Sequence, residues 1–530
     1  MSTPQTSPID DTPAPTPATK DRVHKSLELR IAEARRDASV HAATQIDNGD
    51  ELRYADKCGT YTKGVKQEAI GRVDLAAYKT FRKALDSGKP HDFDHIILGG
   101  PRTLNGPQGG LAFLMECLES SQYKVPPAPA LASEEYATEL VELYWASLLR
   151  DVAFSDYASN SIALMAANEL SSLPTYAGPR DSSNQVTTDL LFRGGFPGET
   201  AGPYLSQLIL QDTTMGTLPM PQKYFTNQCG ADFMLDKTNF QLVQNGKPTP
   251  GQALTPSKVP FYLHDGRGLA AYTHVDVLYQ AYFTAYLVLN SLNAPLNNGN
   301  PYYNNKTQNG FGTFGQPDFA SALGVAASAA LKAVWYQKWF IHLRHRPESG
   351  GAIVHLSKVP SDGSVDGHLS PTVLHSKAVE TSYTTNHKSY FLSQAFPEGS
   401  PTHPAYPTGH GAVAGACITI LKFFFDGGFI IPNPVVPLNT GESTTQYTGP
   451  DAATLTVNGE LNKLAHNISF GHGILAGIHW RSDTDTSIQL GEAVALSLLE
   501  DLASTYNEKF TVHLQKVDGT TASISNHRHV

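Results

Sequence analysis

The sequence lacks the cysteine patterns that hold zinc knuckles or small disulfide frameworks together. Its four cysteines are widely spaced, and none belongs to a C-x-x-C pair. This spacing argues against both kinds of structure. Cys417 lies in an apolar stretch, where we expect a packed thiol.

Basic residues are fewer than acidic ones. The 39 Lys and Arg residues against 49 Asp and Glu residues give a net charge of -10 at pH 7. This balance argues against a general surface for nucleic acid or anionic membranes. Any anion site in this chain must therefore be a local concentration of basic side chains.

Long hydrophobic runs are missing as well. No run approaches the roughly 18 apolar residues that cross a bilayer, so we expect no membrane span. The first 20 residues are rich in Pro, Thr and Ser and have few apolar side chains, which excludes the apolar core of a signal peptide. We interpret residues 1–20 as a disordered N-terminal arm and expect a cytoplasmic location by default.

Apolar residues recur at helical spacing in several long segments of the chain. Its 530 residues, 40% of them hydrophobic, are enough for a large core. Turn-forming residues dominate 293–315 and 432–449, which we predict to be loops. Apolar residues recur at helical spacing in residues 133–154, 273–292, 319–342, 409–425, 461–469 and 487–506.

The predicted fold class is mainly α, with two packed helical bundles in one large domain. We place an N-terminal helical layer at residues 21–300 and a second layer, which carries the chemistry, at 301–520. Residues 521–530 are predicted to be a tail. Ser133, followed by Glu134 and Glu135, has the pattern of a helix start with acid in its first turn.

Histidines and cations crowd three short segments of the C-terminal half, and the first runs from Lys338 to Glu348. Pro347 disfavours helix at Arg346, so the helix that carries Lys338 should end nearby. Lys338 and Arg346 would then converge on one anion. Alternatively, the two cations only complement the dipole of the helix C-terminus.

The second segment is Pro407-Thr408-Gly409-His410, which opens a helix of small apolar residues. Free amides at a helix start, a hydroxyl and a glycine that permits close approach suit an oxyanion. Alternatively, Thr408 is only a helix N-cap and His410 a surface residue of the first turn.

The third segment places His479 and Asp483 four residues apart, which predicts that they share a helix face. A carboxylate or carbonyl that accepts from Nδ1 would leave Nε2 free to bind a metal or to attack phosphorus. A plain surface ion pair is the alternative. The appearance of all three segments together, in this order, disfavours it.

Together these segments resemble the signature shared by vanadium-dependent haloperoxidases and type 2 phosphatidic acid phosphatases. That signature runs Lys…Arg-Pro, then Pro-Ser-Gly-His, then Ser-Arg…His…Asp. Seven residues separate Lys338 from Arg346, which resembles the red algal and cyanobacterial bromoperoxidase branch. The resemblance covers about residues 20 to 515 and includes residues 191–194, 202–207, 333–338, 400–404 and 461–464.

The resemblance implies the fold of the vanadium haloperoxidases and acid phosphatases, and one vanadate per subunit, with phosphate possible in its place. His479 would bind the vanadium, and His410 would be the acid–base group. Lys338 would also polarise bound peroxide, and His403 would tune the halide and proton environment. The residues implied to bind the cofactor are Lys338, Arg346, Thr408, Gly409, His410, His472 and His479.

The implied function is oxidation of halide, bromide first, by hydrogen peroxide to hypohalous acid, which halogenates small organic nucleophiles. A homo-oligomer is implied, and no nucleic-acid partner. A phosphohydrolase with a histidine nucleophile is the alternative, because phosphate and vanadate are near-isosteric. A degenerate scaffold that binds oxyanion without turnover is the third possibility. Trp335, three residues before Lys338, either walls the site or belongs to the ordinary core.

Two departures from the signature stand out. Thr408 replaces the usual serine and keeps the hydroxyl. The arginine expected six residues before His479 falls at Gly473. The local segment is one residue longer than the bromoperoxidase pattern, so we predict a bulge that aims His472 into the missing place.

Arg481 and Arg344 are weaker candidates than His472 for the missing cation. Histidine cannot reproduce a permanently charged, bidentate guanidinium, and losing one partner of a buried charge cluster costs about 2 to 5 kcal/mol. We therefore expect weak, pH-dependent affinity for the cofactor.

Overall fold

The computed structural model describes residues 16–363, 369–386 and 388–526. Helices dominate this part of the chain, which confirms the predicted mainly α class. They are α1 (Arg22–Ser39), α2 (Asp50–Arg53), α3 (Leu75–Ser87), α4 (Pro90–Phe93), α5 (Glu134–Leu148), α6 (Ser161–Ser172), α7 (Lys237–Gln244), α8 (Gly266–His274), α9 (Gln280–Ser291), α10 (Gln316–Tyr336), α11 (Pro347–Lys358), α12 (Pro371–Leu374), α13 (Lys377–Thr385), α14 (Gly409–Phe424), α15 (Val457–Phe470) and α16 (Arg481–Thr505).

Two π-helical turns extend helices of the C-terminal half. Gln337–His342 continues α10, and Gly471–Leu475 continues α15. The short strands pair in antiparallel twos: β1 (Gln67–Ala69) with β2 (Arg72–Val73), β3 (Thr213–Met215) with β4 (Leu218–Met220), β5 (Lys223–Tyr224) with β6 (Phe261–Tyr262), β7 (Val435–Pro437) with β8 (Thr444–Gln446), and β9 (Thr511–Gln515) with β10 (Thr521–Ser525).

Helix α14 is the centre of the core, and it is buried along its whole length. It packs against α10, α15 and α16. Glycines allow the closest of these approaches. An added Cβ at Gly415 would collide with the backbone of Ile488 in α16, and one at Gly491 would collide with Ala412 in α14. The helix start that presents Gly409 and His410 is therefore fixed by close packing on several sides.

The helix boundaries follow the sequence closely in most places. Ser133 caps α5 and accepts from the amide of Tyr136 at 3.1 Å, as predicted. Predicted helices at 319–342, 409–425 and 461–469 correspond to α10 with its π turn, α14 and α15. Helix α16 begins at Arg481, six residues before its predicted start, and α5 ends at Leu148, six before its predicted end.

One predicted helix is wrong. Residues 273–292 are not continuous helix, because α8 ends at His274 and α9 begins at Gln280. The intervening segment carries the β-branched Val275 and Val277, both exposed. These residues have low helix propensity, and neither buries its side chain to offset it. This break places Asp276 in the site described below.

The predicted loops and termini have mixed outcomes. Residues 293–315 contain neither helix nor paired strand, as predicted, whereas 432–449 includes β7 and β8. The first 15 residues of the expected disordered arm lie outside the described residues. The segment interpreted as a tail begins with β10, and its last four residues lie outside the described part.

One helical stretch among the described residues is long and apolar enough to cross a membrane by length and composition alone. It is Gln316–His342, and half of its most apolar window is buried inside the protein. A core helix meets the same criteria, and this one packs on α14 and α16.

Candidate active site

The second and third segments line one cavity of about 260 Å³, which we call the inner cavity. Lys338 and Arg346 of the first segment contact its wall residues Trp335 and His479. The start of α14, the second π turn, the loop before α16, the loop at 396–403 and α10 all contribute to its wall. Its lining residues are Arg102, His274, Leu278, Leu331, Trp335, Phe396, Glu398, Gly399, Pro401, His403, Gly409, His410, His472, Ile478 and His479.

The start of α14 has the features of an oxyanion site. Thr408 is the N-cap residue, yet its side chain caps nothing. Its Oγ1 is buried and has no hydrogen-bond partner among the described residues. The first amides of a helix have no acceptors within the helix, and an added Cβ at Gly409 would lie 3.3 Å from the ring of Trp335. The Thr408 hydroxyl and the first amides of α14 are therefore available to an oxyanion, and a side chain at 409 would crowd Trp335.

His479 is held by Asp483, although not on a shared helix face as predicted. His479 lies in the loop before α16, and Asp483 is in its first turn. Nδ1 of His479 donates to Oδ2 of Asp483 at 2.8 Å. The same oxygen accepts from the amide of Trp480 at 3.0 Å. Because Nδ1 carries the proton, Nε2 presents its lone pair.

A buried ion network supports this histidine from behind. Oδ1 of Asp483 accepts from Nη1 of Arg344 at 2.7 Å, and Nη2 of Arg344 donates to Glu139 at 2.8 Å. Burial is the largest influence on the pKa of His479 and lowers it well below its ordinary value, and Arg346 and Lys338 lower it further. His479 is therefore neutral, the form that binds metals.

Lys338 and Arg346 are both buried beside this histidine. Nζ of Lys338 donates to the carbonyls of Pro404 and Ala405 at 2.7 and 2.9 Å. Nη1 of Arg346 donates to Nε2 of His479 at 2.8 Å. Burial, followed by the charge of Arg346, lowers the pKa of Lys338 well below its ordinary value.

Neither cation has a carboxylate partner. Within the described ranges, no ion pair includes Lys338 or Arg346. Burial lowers the pKa of Arg346 to about 10. Two buried cations without a counter-ion are costly unless an anion completes the site.

His410 has the surroundings of an acid–base group. Its Nε2 lies 3.0 and 3.1 Å from the two carboxylate oxygens of Asp276. A carboxylate only accepts, so Nε2 carries a proton and Nδ1 is left to give or take another. The ring stacks on His472 with 3.6 Å between centroids.

His472 lines the inner cavity from a π-helical turn. The predicted bulge is a π-helical turn, Gly471–Leu475, which accommodates one extra residue. Nδ1 of His472 donates to the carbonyl of Thr273 at 3.2 Å. Burial, then His410 and His479, lower the pKa of His472 well below its ordinary value. An added Cβ at Gly473 would lie 3.1 Å from Cβ of His479.

The other two arginines are committed elsewhere. Arg481 pairs with Glu142 through Nε at 2.9 Å, and Arg344 pairs with Asp483 and Glu139. Neither is available to replace the missing cation, which agrees with their lower rank. His403 lines the inner cavity, and its ring lies 3.0 Å from Nη2 of Arg346 and 4.7 Å between centroids from Trp335.

All the predicted site residues thus lie in or directly behind the wall of one cavity. Three features of the site were not predicted from the sequence: Asp276, Arg102 and the pair between His274 and Glu398, whose Nε2 and Oε1 atoms are 2.6 Å apart. Asp276, Arg102 and His274 lie far from the three motifs along the chain, and the segment 273–292 was predicted as continuous helix, so no signal in the sequence pointed to Asp276. Among the described residues, no group of three or more His, Cys, Asp or Glu side chains could hold a metal ion.

Comparison with known proteins gives one consistent result. A family model described as the VCPO second helical-bundle domain matches residues 318–508. The vanadium-dependent bromoperoxidase of Corallina officinalis is 31% identical over 598 aligned positions, covering 95% of this chain and 99% of that protein. That of Ascophyllum nodosum is 30% identical over 532 positions, covering 96% and 93%.

A solved structure agrees with these relatives. The homohexameric second vanadate-dependent bromoperoxidase of Ascophyllum nodosum superposes with a TM-score of 0.90 at 26% identity. The match covers 99% of this chain and 94% of that one.

Proposed function

The chain belongs to the vanadium-dependent bromoperoxidase family, and from this premise we propose that its inner cavity oxidises halide, bromide first, with hydrogen peroxide. One halide, one peroxide and one proton give hypohalous acid and water. The acid then halogenates small organic nucleophiles. The observation that carries this proposal is the pair of buried cations, Lys338 and Arg346, beside a neutral histidine and an unpartnered hydroxyl.

The residues present fit vanadate, one per subunit. His479 would hold the vanadium through Nε2, and Lys338 and Arg346 would balance the charge of its oxygens. The Gly409 amide and the Thr408 hydroxyl would donate to them. Vanadate, when bound, supplies a Lewis-acidic centre that activates peroxide toward halide. Phosphate is a competing occupant of the same cradle.

His410 would hold and move the proton that the reaction consumes. Asp276 orients the ring of His410 through Nε2, which leaves Nδ1 to accept or donate the proton. A bound oxyanion favours the charged form of Lys338, which would then polarise the peroxide. His403, between Arg346 and Trp335, would tune the surroundings of the halide.

Vanadate titration of protein freed of the cofactor tests this function. We expect bromination of a phenol by bromide and peroxide to rise from the blank rate to saturation, and His479→Ala to stay near the blank. His472→Arg should bind vanadate at least about tenfold more tightly, because a permanent bidentate charge replaces an imidazole. His41→Arg, on an exposed histidine, is the matched control.

Each other outcome of this titration points to a different conclusion about the function. Equal bromination with and without vanadate would reject the haloperoxidase. Hydrolysis of a phosphomonoester that vanadate abolishes would favour a phosphohydrolase, which the family relationship disfavours. Vanadate binding without either activity would indicate a degenerate scaffold.

We also propose that the chain assembles into a homo-oligomer through α1. No residue of this helix is buried, and Val23, Leu27 and Ile31 form an exposed apolar stripe at helical spacing. The opposite face carries Arg36, which pairs with Asp501 of α16. The structural neighbour is a homohexamer.

The solution mass of Leu27→Asp tests this interface. A buried aspartate without a partner disfavours assembly, so the variant should sediment as a smaller species than the wild type. Leu52→Asp, at a position that is 88% exposed, is the control. Identical sedimentation of Leu27→Asp and wild type would exclude α1 from the interface.

A further inference from the structure

A second, larger cavity adjoins the inner cavity. We call it the outer chamber. It encloses about 490 Å³, and Arg102 and Glu398 belong to the walls of both cavities. The two spaces therefore meet at this pair of residues, and what leaves the inner cavity on this side enters the outer chamber.

The outer chamber has the composition of a site for an organic molecule. Its volume lies within the range of about 300 to 1,000 Å³ that ligand pockets occupy. Three prolines, Pro101, Pro248 and Pro397, give it apolar surface. Oε1 of Gln252 is buried in this region with no hydrogen-bond partner among the described residues, which leaves an acceptor unused.

Two cations stand on its wall. Arg102 and Lys247 come from two segments that lie side by side. The backbone amide of Arg102 donates to the carbonyl of Gly246 at 3.1 Å and so joins them. Nη1 of Arg102 donates to the carbonyl of Glu398 at 3.3 Å, and no carboxylate in the described part of the chain forms an ion pair with either cation.

The carboxylate of Glu398 pairs with His274 and, in the described part of the chain, forms no ion pair with Arg102 or Lys247. Nε2 of His274 engages its Oε1 at 2.6 Å, and His274 is itself stacked on Phe396. Burial raises the pKa of Glu398, but the hydrogen bond and charge of His274, together with Arg102, outweigh it, so the pKa lies below its ordinary value. The positive side of the chamber is therefore open to an anion from solvent.

We propose that the outer chamber binds the organic acceptor, an electron-rich aromatic compound that carries a carboxylate, with Arg102 and Lys247 holding the carboxylate. This inference rests on the proposed haloperoxidase function. Hypohalous acid formed in the inner cavity meets the acceptor at the junction. There the ring carbon forms a bond to halogen, the oxygen–halogen bond breaks, and the ring proton leaves with hydroxide as water.

Competition between two matched acceptors tests the proposal. 3-(4-Hydroxyphenyl)propanoate and its amide have rings of nearly equal reactivity, because two carbons separate the ring from the changed group. Free hypobromous acid sets the reference product ratio. We expect the holoenzyme to favour the acid roughly three- to tenfold over that reference. Arg102→Gln and Lys247→Gln should each move the ratio toward the reference, and Lys306→Gln, an exposed lysine elsewhere, should not.

The product ratio does not depend on how fast hypohalous acid forms, so a slow variant still reports on the chamber. A wild-type ratio equal to the reference would overturn the proposal. If neither phenol is brominated, the proposed function itself fails. Ligand-observed NMR of the acid without peroxide then decides: binding that Arg102→Gln weakens supports the chamber, and no binding to the wild type overturns it.

Discussion

His410→Ala should lower the rate of halide oxidation by about 10²- to 10⁴-fold with vanadate saturating, which is the contribution of a positioned acid–base group. The reaction consumes a proton, and His410 lines the inner cavity while Asp276 engages its Nε2 and leaves Nδ1 unengaged by that carboxylate. Alanine leaves neither a proton donor nor an acceptor there. Steady-state bromination at saturating vanadate measures the effect.

Two further variants separate catalysis from folding. Asp276→Asn keeps the ring of His410 and its stack on His472 but removes the orienting charge, so its rate should fall between those of wild type and His410→Ala. His41→Ala, on an exposed histidine, should match the wild type. Equilibrium dialysis must show vanadate bound to each variant. A vanadate-loaded His410→Ala enzyme with the wild-type rate would remove His410 from the mechanism.

Asp483→Ala should cause the second large effect, which combines lost stability with lost cofactor affinity. Asp483 accepts from His479, Trp480 and Arg344. Its removal breaks a buried ion pair and leaves Arg344 with Glu139 as its one carboxylate partner, which costs about 3 to 5 kcal/mol of unfolding free energy. Vanadate affinity should fall about 10- to 100-fold, because the ring of His479 loses the group that fixes its tautomer.

Glu139→Gln is the matched comparison. Glu139 is the other carboxylate on Arg344 and does not touch His479. This variant should lose stability in chemical denaturation yet keep the wild-type affinity for vanadate. If Asp483→Ala unfolds at the wild-type denaturant concentration, or binds vanadate as the wild type does, the ion pairs of Asp483 do not support His479.

The local parts of the site could be predicted from the sequence. The turn at 407–410 and the stop near Arg346 follow from the chemistry of proline and glycine at helix ends. The extra residue in 471–477 predicted a bulge, and the π turn Gly471–Leu475 provides it. The contact between His479 and Asp483 was predicted for the wrong reason, since it forms across a helix start and not along a helix face.

The long-range parts could not be predicted. Asp276 is 134 positions from His410, and Glu139 is 205 from Arg344. Such contacts depend on how the helices pack, and no local pattern in one sequence encodes that packing. The outer chamber could not be predicted either, because Arg102, Lys247 and Glu398 come from three separate segments.

The break between α8 and α9 has a consequence for motion. Asp276 stands between Val275 and Val277, whose side chains are 88% and 56% exposed. A segment with so few apolar contacts opens at a lower free-energy cost than the bundle that holds His410. We therefore expect Asp276 to be the more mobile member of its pair with His410, so that local opening of residues 275–279 would separate the acid–base histidine from its carboxylate.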